Sequence, residues 1–188
     1  MANGTQQINL ISSNFSAQPL SEKINFEKVE IPITIDMKNY TKPEGKRLYD
    51  ENGYIKRVYA LCIDSKNDKI LTITSTRNKN QFIIPGGKID ENESPEQAVL
   101  RELFEEAGII AELKTDSYID QYFDVNEKRK TRSWVYKCYL VSELDVWEES
   151  INPPYRERRW VRDIEEAVEV TSHKEIYRNI LGLLKDRY

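Results

Sequence analysis

The sequence predicts a mixed α/β fold, a β-sheet with helices packed against it, and three observations carry that reading. Short apolar or alternating runs bounded by turn residues recur along the chain, at 55–63, 69–75, 82–84 and 133–141. At 95–107 the apolar residues change to helical spacing, and they do so again near the C-terminus at Ile176, Tyr177, Ile180, Leu181 and Leu184. The resulting order, three strands, a helix, three strands and two helices, is that of a sheet covered by helices.

The 188 residues fit one domain with an appendage. Residues 1–44 read as an N-terminal extension. Its first twenty or so residues are rich in Asn, Ser and Gln and predict disorder. Within it, Val29, Ile31, Ile33 and Ile35 alternate with polar residues as an edge strand would, and Pro32 restricts that strand to an edge or a bulge. The domain proper is expected over 45–188. Residues 55–63 and 69–75 form a hairpin about the turn 64–68, and 82–84 is a short strand ending at Pro85-Gly86-Gly87. Further strand material lies within 109–123, then at 133–141 and 159–161. The basic run Lys128, Arg129, Lys130 and Arg132 falls in the hairpin loop before 133. Two capping pairs, Asp163 with Glu166 and Ser172 with Glu175, mark the starts of the last two helices.

The helix at 95–107 has its ends written into it. Ser94 is a good N-cap, Pro95 suits the first turn, Gln97 completes a capping box, and Gly108 supplies a left-handed stop. Val99, Leu100, Leu103, Phe104 and Ala107 share one face. Glu102, Glu105 and Glu106 share the opposite one, with Arg101 at its border. Carboxylates at this spacing repel by roughly 0.2–0.5 kcal/mol per pair on a bare helix. A bound cation relieves that repulsion. Hard oxygen ligands without Cys or His select Mg²⁺, with Mn²⁺ as a substitute, over Zn²⁺. Clustered like charges also raise a carboxylate pKa, which suits a general base for water.

Composition narrows the alternatives. The net charge of −4 excludes a generic polyanion binder, yet Arg156, Arg158, Arg159 and Arg162 form a second basic knot, which points to a specific anionic ligand. The single histidine, His173, expected in the first turn of the last helix, argues against two-His metal sites and His-paired nucleophiles. There is no Walker loop or dinucleotide fingerprint. No apolar run is long enough to span a bilayer, and neither a signal-peptide core nor a myristoylation pattern is present. Cys62 and Cys138 sit in apolar strand-like runs and are expected as buried, reduced thiols. The expected compartment is the cytoplasm, with the nucleus as an alternative.

Gly87, five residues, Glu93, seven residues, then Arg101-Glu102-Leu103-x-Glu105-Glu106-x-Gly108-Ile109 reproduces the Nudix box without a departure. Seven fixed residues at about one in twenty each come to roughly 10⁻⁹ per starting position. The chain therefore resembles a Nudix hydrolase. That resemblance implies an α/β/α sandwich with a mixed sheet and a metal-dependent attack of water on a diphosphate bond. It implies Glu102, Glu105 and Glu106 as metal ligands and catalytic groups, with Gly86 beside the metal, and Glu93 and Arg101 supporting the loop–helix geometry.

A closer resemblance covers about residues 45–184. GKRLYDENGYIKRVYALCI, TSTRNKNQFIIPGGKI, LDVWEESIN, RERRWV and the final HK resemble the diphosphoinositol polyphosphate phosphohydrolases. These remove a β-phosphate from diphosphoinositol polyphosphates, and many members also cleave diadenosine polyphosphates. The resemblance places Arg47, Lys56, Arg57, Ser75, Arg77, Gly86, Gly87, Lys128, Arg129, Arg132, Arg156 and Lys174 around the substrate. Lys88 stands where a third glycine is usual, either narrowing the approach or adding a phosphate contact, and Ile55 stands where a basic residue is expected. Gln81-Phe82 replaces Arg-Trp. A small-molecule polyphosphate is thus the expected partner. Nucleoside diphosphate derivatives and capped RNA are a secondary reading, and a non-hydrolysing sensor module a third. Oligomeric state is not legible.

Overall fold

The computed structural model describes residues 49–126 and 129–185; the expected extension over 1–44, with Arg47 and Lys128, lies outside the described residues. Strand β1 (Ile55–Asp64) and strand β2 (Lys69–Thr74) form the expected hairpin, and the short β3 (Phe82–Ile83) pairs with β2. Helix α1 (Pro95–Ala107) follows, then β4 (Ile109–Glu112), β5 (Tyr118–Asn126) and β6 (Arg129–Glu143). The chain ends in α2 (Glu148–Ile151), β7 (Arg158–Val161), α3 (Ile164–Val170) and α4 (Glu175–Lys185).

The sheet runs β3-β2-β1-β6-β4, with β5 also on β6 and β7 also on β2. Among the described residues only β1 and β6 pair in parallel, so the sheet is mixed. β6 is long enough to hold β5 along its first half and β4 along its second. Side chains alternate across a strand, and the β1–β6 register sorts the two faces. Ala60 and Tyr136 are partners, and the Tyr136 hydroxyl donates to Glu96 of α1 at 2.6 Å, so that face lies under α1. Tyr59 points the other way and meets Tyr177 of α4 edge-on at 6.1 Å. With both faces covered, β1 is buried along nearly all its length, from the wholly buried Val58 through Cys62. This is the expected α/β/α sandwich.

Three expectations need correction, and one capping pair is borne out. The basic run 129–132 is strand, not loop: β6 starts at Arg129 and pairs at once with Asn126 and Val125. The strand material at 109–123 is two strands, split by a turn in which the Lys114 amide donates to the Ser117 hydroxyl. The Asp163–Glu166 pair marks the start of α3 as expected, Asp163 accepting from the Glu166 amide at 2.8 Å, while the Glu166 carboxylate accepts from the Arg162 amide. Ser172 caps nothing, because Thr171, Ser172 and His173 form a turn and α4 starts at Glu175. His173 therefore precedes the helix. Cys62 and Cys138 are buried free thiols in register with one another.

Candidate active site

The first half of β1 does not pair with β2. Its partner is the glycine turn: the Val58 amide donates to the Gly87 carbonyl, Ala60 to Pro85, and Ile89 back to Lys56, at 2.9, 2.9 and 3.2 Å. The turn is therefore fixed to the sheet on one side and faces α1 on the other. Gly86 has φ 155°, and a side chain there would strike the Val58 carbonyl. A methyl on Gly87 would land inside the Glu102 carboxylate. Both glycines are needed for close approach.

Helix α1 starts and stops as read. Ser94 and Gln97 exchange side-chain and backbone bonds at 3.2 and 2.8 Å, and Gly108 ends the helix at φ 60°, ψ 32°. Trp147 packs against Gly108, and its indole donates to the Glu106 carbonyl at 3.2 Å, which seals the helix end. The acidic face is not solvated: Glu102, Glu105 and Glu106 are 8 %, 6 % and 7 % exposed. It is turned inward onto the glycine turn, where the Gly86 amide donates to Glu106 Oε2 at 2.9 Å.

Two buried arginines hold these carboxylates. Arg101 grips Glu93 with two bonds of 2.7 and 3.0 Å, donates to Glu102 at 2.9 Å and Glu105 at 3.4 Å, and reaches the Lys88 carbonyl at 2.8 Å. Burial opposes its charge, but Glu93, Glu102 and Glu105 outweigh that and push its pKa up. Arg156 lies behind Glu106, bonded to that carboxylate, to Glu149 at 2.7 Å and to the Thr74 carbonyl at 2.8 Å. With its guanidinium so engaged and only 7 % exposed, Arg156 positions Glu106 rather than facing a pocket.

The electrostatics are those of an undercompensated anion centre. Burial, then the neighbouring Glu102 charge, push the Glu106 carboxyl up to about 8 against the pull of Arg156 and the Gly86 amide. Burial also raises Glu102, against the pull of Arg101. Ionised, both sit in a site that favours added positive charge. Among the described residues, no three His, Cys, Asp or Glu side chains are already drawn to one metal-binding point; Arg101 engages Glu102 and Glu105, and Arg156 engages Glu106. The donor set itself, buried carboxylates beside a backbone carbonyl at Gly86, suits a hard divalent cation.

The expected substrate residues separate into groups. Arg57 extends its guanidinium to 3.5 Å from the Gly86 carbonyl and stacks near Tyr59. Lys174, half-buried beside Tyr177, has its pKa lowered by burial and then by the charges of Arg77, Arg129 and Arg57. Ser75 is buried and accepts from the Arg77 amide at 3.3 Å, shaping the loop that carries Arg77. Lys56 and Arg132 are register partners on the α1 face, opposite Arg57. Arg132 bonds Gln121 at 2.9 Å and stacks on Trp134 at 4.7 Å, away from Arg57. A cavity of about 330 Å³ opens beside Arg57, lined also by Lys88 and Arg129 and by Lys130, Tyr49 and Thr131, which the sequence reading left out. Position in the basic run was the only signal for Lys130. Nothing local marked Glu149 as the partner of Arg156.

The fold is thus a sandwich in which α1 turns a buried acidic face onto a glycine turn, with Arg57 alongside. A family model for the NUDIX domain matches residues 53–182. The chain is 36 % identical over 146 residues to human diphosphoinositol polyphosphate phosphohydrolase NUDT4B, covering 77 % of this chain and 78 % of that one. It is equally 36 % identical to the Bos taurus diphosphoinositol polyphosphate phosphohydrolase 3-beta, covering 77 % and 86 %. Among solved structures, the C. elegans Ap4A hydrolase matches with a TM-score of 0.54 at 18 % identity, covering 71 % of this chain and 97 % of that one. A MutT protein of Methanosarcina mazei Go1 matches at 0.53 and 22 % identity, covering 71 % and 95 %. The chain belongs to the Nudix family. It is an enzyme of the hydrolase class.

Proposed function

We propose that this protein hydrolyses the diphosphate group of diphosphoinositol polyphosphates with Mg²⁺, and that diadenosine polyphosphates are secondary substrates. The observation that carries this reading is Arg57, whose guanidinium reaches to 3.5 Å from the Gly86 carbonyl beside the buried carboxylates and lines a cavity with Lys88 and Arg129. A substrate bearing many phosphates needs many cations in one place, and guanidinium forks match phosphate oxygens. The relatives' names, diphosphoinositol polyphosphate phosphohydrolase, point the same way.

Glu102, Glu105, Glu106 and the Gly86 carbonyl would hold the metal. When bound, it supplies Lewis-acid stabilisation of the charge developing on the diphosphate oxygens. Water adds to one phosphorus, the P–O bond to the bridging oxygen breaks, and that oxygen leaves with the electron pair. The water proton passes to a carboxylate. Burial lifts Glu102 and Glu106 above the usual glutamate range, and a bound cation would draw both back to the ionised form that holds it. Arg101 and Glu93 keep the helix and turn in register, and Arg156 holds Glu106. No helix among the described residues is long and apolar enough to cross a membrane; the cytoplasm is the compartment we propose, with the nucleus as an alternative.

The test is a Mg²⁺-dependent hydrolysis panel of a diphosphoinositol polyphosphate, diadenosine pentaphosphate, ADP-ribose, 8-oxo-dGTP and capped RNA. The inositol pyrophosphate should be turned over with the highest kcat/KM. A clear preference for ADP-ribose, 8-oxo-dGTP or capped RNA would overturn the substrate assignment.

A further inference from the structure

Helices cover the two faces of the β5–β6 hairpin unequally. On one face Asn179 of α4 donates to the Tyr122 hydroxyl at 3.0 Å. On the other, α1 reaches Tyr136 through Glu96. Further along that second face the register sets Gln121 beside Trp134, Phe123 beside Arg132 and Val125 beside Lys130. Phe123 and Val125 are 53 % and 58 % exposed, and Tyr54 meets Phe123 edge-on at 5.6 Å. Contiguous exposed apolar side chains with a charged rim mark a contact surface. Here the rim is cationic, formed by Lys56, Lys130 and Arg132.

The chain itself supplies an occupant. Residues 1–48 lie outside the described residues. Within them Val29, Ile31, Ile33 and Ile35 alternate with other residues, so an extended segment carries all four on one side. The described chain begins at the rim of the bare face. Tyr49 bridges to Ile55, Asp50 pairs with Arg132 at 3.8 Å, and Arg132 lies over the Phe123 and Trp134 rings at 5.7 and 4.7 Å. The stretch between 36 and 49 spans up to ~40 Å when extended, so the face is within reach. Charge matches as well: Glu27, Glu30 and Asp36 outnumber Lys28 over 27–36, opposite a cationic rim. Such a tether holds the segment at an effective concentration on the order of millimolar, well above that of a second copy in dilute solution.

We propose that residues 29–36 dock on this face, their four aliphatic side chains against Phe123, Val125 and Trp134 and their acids toward the rim. Pro32 has no amide to bond, which suits a segment lying on a sheet face rather than inside a ladder. The docked segment adds the missing layer of the hairpin. It also anchors the lead-in to Tyr49, which lines the cavity beside Arg57.

The test is hydroxyl-radical footprinting of the full chain, which reads side-chain exposure directly. Phe123 and Trp134 should oxidise at least about five-fold more slowly in the wild type than in Ile31→Ser/Ile33→Ser, since losing two buried aliphatic side chains shifts the docking equilibrium well beyond that. Tyr155, exposed in the turn after α2, should oxidise at one rate in both. Reciprocally, trypsin should cut after Lys28 and Lys38 faster in Phe123→Ser/Val125→Ser than in the wild type, and no faster in Val146→Ser, a control at another exposed valine. The protection should be independent of protein concentration. Equal oxidation of Phe123 and Trp134 in the wild type and the isoleucine variant would overturn the proposal. Protection lost on dilution would overturn it too, because a second copy would then be the occupant.

Discussion

Removing the Arg101 guanidinium would strand three buried carboxylates, Glu93, Glu102 and Glu105, and release the Lys88 carbonyl. A buried ion pair adds little net stability against apolar packing, but breaking one leaves an uncompensated charge, at a cost of about 3–5 kcal/mol. Arg101→Met should lose stability in that range by urea unfolding, and a loss below about 1 kcal/mol would mean the network is solvent-screened. The residue scale is also where sequence reading is weakest. Arg156 was legible as a cation but not as one buried behind Glu106, because its partner Glu149 is seven residues away across a turn. Arg132 and Arg57 belong to the same expected set, yet their strand positions have opposite parity in the β1–β6 register and they point to opposite faces.

At the scale of elements, the glycine turn and α1 act as one unit. Gly87→Ala forces the turn away from Glu102, since the added methyl and the carboxylate claim the same space. A displacement near 1 Å at a reacting centre costs about 10²-fold in rate, so kcat/KM should fall by that order while the circular dichroism spectrum is kept. Unchanged activity would show that the turn has slack. The start of α3 gives a pH prediction. Glu166 accepts from the Arg162 amide and from the Arg162 and Arg159 side chains, which hold its carboxyl down at about 2 instead of 4.5. A depressed acid stabilises the fold when ionised. Its contribution is thus complete above about pH 4.5 and lost as the pH falls through about 2. The difference in Tm between wild type and Glu166→Gln should hold above that window and close within it; a pH-independent difference contradicts the ionic origin. Helix α1 was readable to the residue because both caps and the apolar face are local signals. The β6 boundary was not, since a basic run reads as a loop until β5 pairs with it.

For the molecule as a whole, the sandwich brings together the glycine turn on β1, the acidic face of α1, the cations of β1 and β6, and Lys174 just before α4. The box spacing made the first two legible together, because all of their residues lie within 86–109. The pocket was not, because its walls come from three segments, 49–57, 88 and 129–131, far apart in the chain, and only the β1–β6 register shows which side chains share a face. The central claim is that the buried carboxylates of α1 run the hydrolysis. The most direct measurement is kcat for phosphate release from a diphosphoinositol polyphosphate at saturating Mg²⁺, for wild type, Glu105→Gln and Glu106→Gln. The account predicts a fall of at least about 10²-fold in each variant, the low end for losing acid–base help; near-normal turnover in both would contradict it.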